Sequence, residues 1–589
     1  MGADNNPDAC RYVFADVTVD CARFRVIRGE RVEKITPRAF EVLRYLIDHP
    51  DRVVEKQELF ERVWGESFVT DNALTRMVKE VRRVIGDDAD APRYIETVPK
   101  RGYRFIAKVT REMAEGQPAT EKDTGISSIA ILPFINLSRD ADNEYLSEGI
   151  TESIINTLSR FQNLRVVPRS TVFYFQGREN APEAVARELN VRAVLVGRVL
   201  QRQDIIIIKT ELIDAHKQAQ LWGQEYQRRT DDLFALQEEI SQAISAQLQL
   251  KLSVGEREQL SRHQTEDAEA YKLYLKGRYF WNRRPMGLKK GIDYFQQALE
   301  RDPEYALAYA GLADCYSTLG SWENGRMPPN EAMPKACAAA SRALELDETL
   351  AEAQATLAYT KLHYDWDFAG AERGFARALE LNENYVHAVH WLSHYYMARG
   401  LVKESLIISR RALELDPLDI IMNAHMIWHY WLSREPEQAL IHAEKTRELD
   451  LSNLWPSFFA GLAYEQNGMY AEAVAEFQKS LELSEEAGFV KAALAHALGL
   501  SGETSRARSH LLELESLRGK KYVPAYDMSI ACLGLDEREQ SFAWLQKAVE
   551  ERSGWLAYVA VEPRLDELRT EPEFAELIKK IGQSGLGQH

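Results

Sequence analysis

The sequence predicts a multidomain protein of mixed α/β and all-α class. It combines a winged helix-turn-helix domain, a mixed α/β sheet domain and an α-solenoid superhelix. Three observations carry this prediction. Short strands and three amphipathic helices fill the first 110 residues, and apolar strands alternate with helices over 127–253. An Ala-Leu-Glu phrase then recurs with a spacing that settles at 34 residues, which is typical of stacked helical repeats.

Length and composition bound the number of domains and the class of protein. With 589 residues and about 150 residues per domain, we expect domains at 1–110, 127–253 and 254–589, with a linker at 111–126. The net charge of −17 repels nucleic acid, so any DNA contact requires a local basic patch. The five cysteines show no CxxC spacing, which favours reduced thiols. The sequence shows neither a signal peptide nor a run of about 18 apolar residues, so we expect a cytoplasmic protein without membrane contact.

Three helices and a hairpin are expected in the first domain. Thr36 and Pro37 predict the start of the first helix, and Gly65 the end of the second. A third helix is predicted over 70–85, with Thr70 and Asp71 as capping residues. Its buried face is expected to carry apolar residues at helical spacing, namely Leu74, Met77, Val78, Val81 and Ile85. A basic hairpin over 94–106 follows, and this order of elements predicts a winged helix.

The third helix and the hairpin hold the two most basic patches of this domain. From Asn72 to Val84 the helix carries four cations against the single acid Glu80, and the segment 99–108 carries four cations and no acid. Basic, amide and hydroxyl side chains on one helix face suit a DNA major groove. The alternative is a solvated surface helix, in which Arg82 and Arg83 serve only as cations favoured by the helix dipole.

Four segments of this domain carry a family resemblance. ITPRAFEVLRYLI, VVEKQELFERVWG, VTDNALTRMVKEVRRVIGDD and PRYIETVPKRGYRF together resemble the DNA-binding domain of OmpR/ToxR/CadC-type transcription regulators over residues 10–108. The resemblance implies that the third helix enters the major groove of double-stranded promoter DNA, while the hairpin reaches the minor groove or backbone. It implies DNA contacts from Asn72, Thr75, Arg76, Lys79, Arg82, Arg83, Lys100, Arg101 and Arg104. It also implies that a loop faces RNA polymerase, formed by Glu66, Ser67, Phe68 and Val69.

The middle segment is predicted to form a mixed sheet covered by helices. The motifs IAILPF, YLSEGITESIINTL, LRVVPRST, ELNVRAVLVGRV and IIIIKTELIDA resemble the TolB-like domain of some CadC-type regulators and class III adenylate cyclases. Asp142, Glu144, Glu148 and Glu152 form an acidic stretch, which we interpret as a solvated helix face. The sequence has no Gly-rich phosphate loop, so we predict no cofactor and no enzymatic activity.

The C-terminal part is predicted to form a tetratricopeptide repeat array. The gaps between successive copies of the Ala-Leu-Glu phrase are 45, 35, 34, 34 and 34 residues, which fits eight to nine repeats. An insertion is predicted near 322–329, and the tail from Trp555 to Ile581 is expected to act as a capping helix. Such arrays form a concave groove, so we expect a protein or peptide partner there. Self-association as a homodimer is a further expectation.

Five histidines fall at corresponding positions of two neighbouring repeats, namely His387, His390, His394, His425 and His429. They could converge and bind a metal ion or sense pH. No cysteine and few acids accompany them, and aromatic residues such as Trp391 and Trp428 lie beside them. We therefore favour ordinary packing or partner contact and predict no metal site.

The predicted function is that of a transcriptional regulator. The winged helix reads promoter DNA, and the α/β and repeat regions receive a protein or small-molecule signal. The alternative is a repeat-based interaction scaffold with little DNA binding.

Overall fold

The computed structural model describes the protein between residues 10 and 583, with gaps. These gaps are 21–24, 30, 34–36, 51, 57, 60–70, 89–91, 99–100, 114–125, 139, 141–142, 162–163, 178–180, 249, 251–264, 324 and 485–486. The chain divides into two compact units, 1–124 and 125–589. None of the described helices has the length and apolarity required to cross a membrane.

Within its described residues, the first unit contains two antiparallel sheets and two long helices. One sheet has the strand order β4-β3-β2-β1-β8, with β1 (Cys10–Phe14), β2 (Val17–Asp20), β3 (Arg25–Arg28), β4 (Arg31–Glu33) and β8 (Thr110–Met113). The other has the order β5-β7-β6, with β5 (Val53–Glu55), β6 (Ile95–Val98) and β7 (Gly102–Phe105). The helices are α1 (Pro37–Asp48) and α2 (Asp71–Ile85). Because β8 pairs with β1, the sheet takes residues 111–113 from the stretch predicted as linker.

The core of this unit forms where the apolar faces of α1 and α2 meet the sheets. Leu74, Val78, Val81 and Ile85 are buried as the helical spacing predicts, whereas Met77 is only half-buried. Phe14 and Phe105 pack edge to face with ring centroids 5.0 Å apart. Gly86 ends α2 with φ of +73°, a conformation that glycine adopts without steric penalty. The predicted cap at Thr70 lies outside the described residues.

The second unit begins with the predicted mixed sheet. Its strands are β9 (Ser128–Ile131), β10 (Ile135–Asn136), β11 (Arg165–Val166), β12 (Ala193–Arg202), β13 (Ile205–Asp214) and β14 (Ala219–Arg229), in the order β11-β9-β12-β13-β14 with β10 beside β12. Pairs among β9, β10, β11 and β12 are parallel, and the last two pairs are antiparallel. The helices are α3 (Glu144–Leu158), α4 (Arg169–Phe173), α5 (Pro182–Glu188) and α6 (Leu233–Gln247). The α/β class is confirmed.

Eight consecutive helix pairs follow within the described residues, which confirms the α-solenoid. They are α7 (Ala268–Trp281) with α8 (Leu288–Arg301), α9 (Ala306–Leu319) with α10 (Pro329–Leu346), α11 (Ala351–Thr360) with α12 (Phe368–Leu381), α13 (Val386–Ala398) with α14 (Val402–Leu415), α15 (Ile420–Leu432) with α16 (Pro436–Arg447), α17 (Trp455–Gln466) with α18 (Tyr470–Glu482), α19 (Gly488–Leu500) with α20 (Thr504–Arg518), and α21 (Ala525–Gly534) with α22 (Arg538–Glu550). The predicted insertion is the connection 320–328 between α9 and α10. A short π-helix, Lys361–Asp365, extends α11.

The tail of the chain packs against the last helix pair and also against residues of earlier repeats. Its final helix, α23 (Pro572–Lys580), contacts α22 through a 2.8 Å bond from Lys580 Nζ to Gln546, where a cap is expected. An earlier 3-10 helix, Gly554–Tyr558, instead places Trp555 against Trp322, with ring centroids 4.4 Å apart. Trp555 also packs on Trp428 of α15 and Tyr526 of α21, so this segment covers the inner face of the curved array.

Candidate nucleic-acid interface and buried polar sites

The C-terminus of α2 is tied to the hairpin by a buried carboxylate. Asp87 accepts backbone N–H bonds from Arg93, Tyr94 and Ile95 at 2.7, 3.0 and 3.0 Å. Arg82 adds a second tie, because its guanidinium donates to Ile95 O at 2.8 Å and to Thr97 Oγ1 at 2.9 Å. These contacts fix the direction of the hairpin strand relative to α2, which is what two surfaces on one DNA duplex require.

The nine residues predicted to contact DNA fall into three groups. Lys79, Arg83 and Arg101 are exposed, the first two on α2 and the third in the turn of the hairpin. Arg82 and Arg104 form bonds within the domain: Arg82 bonds the hairpin as described, and Arg104 forms an exposed ion pair with Glu96 across the strands at 3.0 Å. Asn72, Thr75 and Arg76 have their backbone in α2, but their side chains lie outside the described part, as does Lys100.

The predicted RNA polymerase loop, formed by Glu66, Ser67, Phe68 and Val69, lies outside the described residues. Most of the predicted second helix lies there too. Its residue Leu59 is described, and it is buried in the core as the pattern predicts. The polymerase contact therefore stays a prediction.

The interpretation of the acidic stretch as a solvated face was wrong for Glu148 and Glu152 of α3; Glu144 is half-buried, and Asp142 lies outside the described residues. Glu148 and Glu152 are both buried, each with 4% of its surface exposed. Arg278 binds Glu152 with 2.6 Å between Nη2 and Oε1, and Arg283 binds Glu148 at 2.8 Å. Arg169 of α4 contacts both carboxylates, at 3.0 and 3.1 Å. Arg278 and Arg283 come from the first repeat, so these ion pairs join the repeat array to the sheet domain.

Charge neutralisation decides the protonation state of this cluster. Burial raises the pKa of Glu152, but Arg278 and Arg169 outweigh that effect and hold the pKa below its ordinary value. The carboxylate is therefore ionised at neutral pH, as a buried ion pair requires. A shared hydrophobic core surrounds the cluster, in which Ile150 and Ile154 of α3 pack with Leu275 and Phe295 of the first repeat. The sheet domain and the first repeats therefore form one body.

A cavity of about 1300 Å³ lies between α4 and the inner face of the repeats. It exceeds the roughly 300–1,000 Å³ typical of small-molecule sites. Arg284 lines it, with its guanidinium 4.0 Å from the Trp281 ring centroid and without a carboxylate within 4.0 Å among the described residues. The lining also includes Asp416, whose carboxylate accepts hydrogen bonds from Ser170 and Thr171 of α4. The lining suits a ligand that has both aromatic and charged groups.

The predicted histidine cluster forms in part. His390 and His394 of α13 meet His425 and His429 of α15, and all four are buried. His390 Nε2 lies 2.9 Å from His425 Nδ1. His387 does not belong to this group. Its ring stacks on that of Trp391. The pattern did not reveal a fifth member, His363 of the π-helix, whose Nε2 lies 2.7 Å from the Tyr558 hydroxyl.

Three known families match successive parts of the chain. Residues 29–105 match the family described as "Transcriptional regulatory protein, C terminal". Residues 125–245 match "HilA/YgeH-like transcriptional regulator, second domain", and residues 458–486 match "Tetratricopeptide repeat". The resemblance of 127–253 to a TolB-like domain stays a prediction, since the matching family there is the HilA-like one.

Individual relatives cover different shares of the chain. The transcriptional regulator HilA of Salmonella typhi is 25% identical over 424 residues, which make up 71% of this chain and 73% of HilA. The transcriptional activator CadC of Escherichia coli K12 is 36% identical over 86 residues, 14% of this chain and 17% of CadC. A Rhizobium meliloti protein named "Putative adenylate cyclase 3" is 34% identical over 234 residues, and this chain spans only 39% of that protein's length.

A solved structure is similar to part of the first unit. The DNA-binding domain of Klebsiella pneumoniae RstA, in complex with the RstA box, is 23% identical over 16% of this chain and 96% of that domain, with a TM-score of 0.16. The described elements of residues 10–113 follow the winged-helix order that the sequence predicts. From the matching families and regulators, the chain is a DNA-binding transcriptional regulator with an OmpR/PhoB-type winged helix, a HilA-like second domain and tetratricopeptide repeats.

Proposed function

We propose that the winged helix binds promoter DNA through Lys79 and Arg83 on α2 and Arg101 on the hairpin. The observation that carries this proposal is the exposure of these three cations on two elements that Asp87 and Arg82 hold together. Asn72, Thr75, Arg76 and Lys100 join them as predicted contacts. Arg82 and Arg104 act instead as positioning residues, because their guanidinium groups already bond neighbours within the domain.

The salt dependence of DNA binding tests this assignment. The slope of log K against log salt concentration is negative, and its magnitude decreases by about 0.9 for each phosphate that the protein no longer neutralises. The full chain with Lys79→Ala and Arg101→Ala is expected to lose affinity for a target promoter fragment and about two units of slope. Arg301→Ala, in the exposed Arg301–Asp267 pair of the repeats, removes one cation outside the winged helix and is the matched control. Unchanged affinity and slope in the double variant would refute the assignment.

The second unit is proposed as the part that receives a signal. The cavity between α4 and the repeats supports this role, because its walls come from the sheet domain and from several repeats. A ligand there would bridge both parts, and an anionic group on it would find Arg284. Native mass spectrometry of the purified protein tests the idea: a small molecule that binds the wild type and is missing from Arg284→Ala supports it. Equal retention by both proteins contradicts it.

The proposed partners extend the DNA-binding function. A regulator at a promoter acts on RNA polymerase, and the predicted loop 66–69 remains the proposed contact. Homodimer formation is a second proposal, and sedimentation of the full chain over a concentration series measures it directly. Because the target DNA lies in the cytoplasm, we place the protein there as well.

We propose that the chain is not an enzyme. The relative named as an adenylate cyclase shares only part of its length with this chain, so its name does not define this chain's activity. The measurement is cyclic AMP formation from ATP with Mg²⁺: a turnover above that of a heat-inactivated sample would contradict the proposal.

A further inference from the structure

Three histidines from two neighbouring repeats form a compact triad inside the array. His390, His394 and His425 each offer one ring nitrogen, and these atoms all lie within 4.8 Å of one another. His390 and His394 lie four residues apart on α13, and His425 faces them from α15. We propose that this histidine triad binds a divalent transition-metal ion of the Zn²⁺ class. Neutral imidazole nitrogen is a preferred ligand of such ions.

The strongest support is the state of His394. Its side chain is completely buried, yet neither ring nitrogen has a hydrogen-bond partner among the described residues. Native proteins rarely leave a buried polar group in this condition. Packing alone gives no reason for an imidazole here, since a leucine would fill similar space without polar atoms. A metal ion between the three rings would satisfy one of these nitrogens.

The geometry is close to that of a bound site. His390 Nε2 and His425 Nδ1 are 2.9 Å apart, which is a hydrogen-bond distance. Two nitrogens bound tetrahedrally at about 2.0–2.1 Å from zinc lie about 3.3 Å apart. Side-chain rotations that open the pair by about 0.4 Å therefore suffice. The three protein ligands would leave a fourth position for water or another ligand, as in exchangeable zinc sites.

One of the three proposed ligands, His425, has a carboxylate next to it. Glu323, in the insertion 320–328, places Oε1 3.5 Å from His425 Nε2, the nitrogen on the far side of the ring from the triad. Carboxylate–histidine–metal arrangements of this kind fix the ring and strengthen the ligand.

The ligands are in the correct protonation state, and the ion has a path to them. All three imidazoles are buried, which favours the neutral form that binds a metal ion. His390, His425 and Glu323 line the cavity of about 1300 Å³, through which an ion can enter. The inference concerns the repeats alone, and it stands whether or not the winged helix binds DNA.

Metal titration of the full chain tests the site. The protein is stripped with EDTA, desalted and titrated with Co²⁺, whose visible absorption reports ligand number, and then with Zn²⁺ by calorimetry. We expect one equivalent to bind and His394→Asn to weaken binding at least tenfold. Glu323→Gln is expected to weaken it by about 10–100-fold, as is usual for a carboxylate behind a histidine ligand. His442→Asn, in the half-buried histidine of α16, is the matched control and should bind like the wild type.

Two results would overturn the proposal. One is the absence of saturable binding at one equivalent in the wild type. The other is equal affinity in the wild type and in a folded His394→Asn protein, as judged by circular dichroism. If His394→Asn does not fold, His390→Gln replaces it with the same expectation and the same contradicting result.

Discussion

Replacing Asp87 with alanine removes the acceptor that holds the hairpin strand to the C-terminus of α2. Three backbone N–H groups lose their partner, those of Arg93, Tyr94 and Ile95. Tyr94 and Ile95 are buried, so water does not replace the carboxylate there, whereas Arg93 is exposed. Hydrogen bonds to a charged group contribute about 1.5–3 kcal/mol each. The two buried bonds therefore predict a loss of about 3–6 kcal/mol in local stability.

Amide hydrogen exchange of the full chain measures this loss directly. Peptides covering 92–105 report the free energy of local opening, and exchange in the repeats serves as an internal reference. Glu55→Ala, at an exposed carboxylate of β5, is the matched control and should change protection by less than about 0.5 kcal/mol. Asp87→Asn keeps one oxygen acceptor and should fall between the two. If protection in Asp87→Ala stays within about 0.5 kcal/mol of the wild type, the carboxylate does not hold the hairpin.

Two further predictions concern the second unit. Arg278→Ala leaves Glu152 and Asp314 with one fewer cation in a buried site. Chemical denaturation should therefore show that the free energy of unfolding decreases by about 3–5 kcal/mol. The control Arg301→Ala, in an exposed pair, should lower it by less than about 1 kcal/mol. A loss below about 1 kcal/mol in Arg278→Ala would contradict the buried pairing. Burial raises the pKa of Asp527 to about 7, so the folded state binds this proton more tightly than the unfolded state. Stability should therefore rise as pH falls from 8 to 6, and Asp527→Asn should remove about 1 kcal/mol of that rise; equal pH profiles would refute it.

The order of the helices and strands could be predicted from the sequence because each element depends on a local residue pattern. Helical spacing placed the apolar face of α2, and the repeat period placed the helix pairs. The roles of Glu148 and Glu152 were not visible locally, since their partners Arg278 and Arg283 lie 126 and 135 residues away. From the sequence alone, an acidic helix face is interpreted as solvated, because the sequence does not show which helix packs against it.

Only part of the histidine triad and its surroundings could be predicted from the sequence. His390 and His425 are 35 residues apart, about one repeat period, so stacking equivalent helices brings them together. Glu323 belongs to the insertion, which follows no repeat pattern, and only the fold places it beside His425. Likewise, the family resemblance implied that Arg82 contacts DNA. Its bonds to Ile95 and Thr97 depend on where the hairpin returns.

Genome-wide chromatin immunoprecipitation of the full chain tests the central claim most directly. The account predicts discrete peaks upstream of genes for the wild type. It predicts that these peaks vanish when Lys79, Arg83 and Arg101 are replaced by alanine, at unchanged protein level. An absence of promoter peaks in the wild type, or peaks that persist in the triple variant, would contradict DNA binding through this surface.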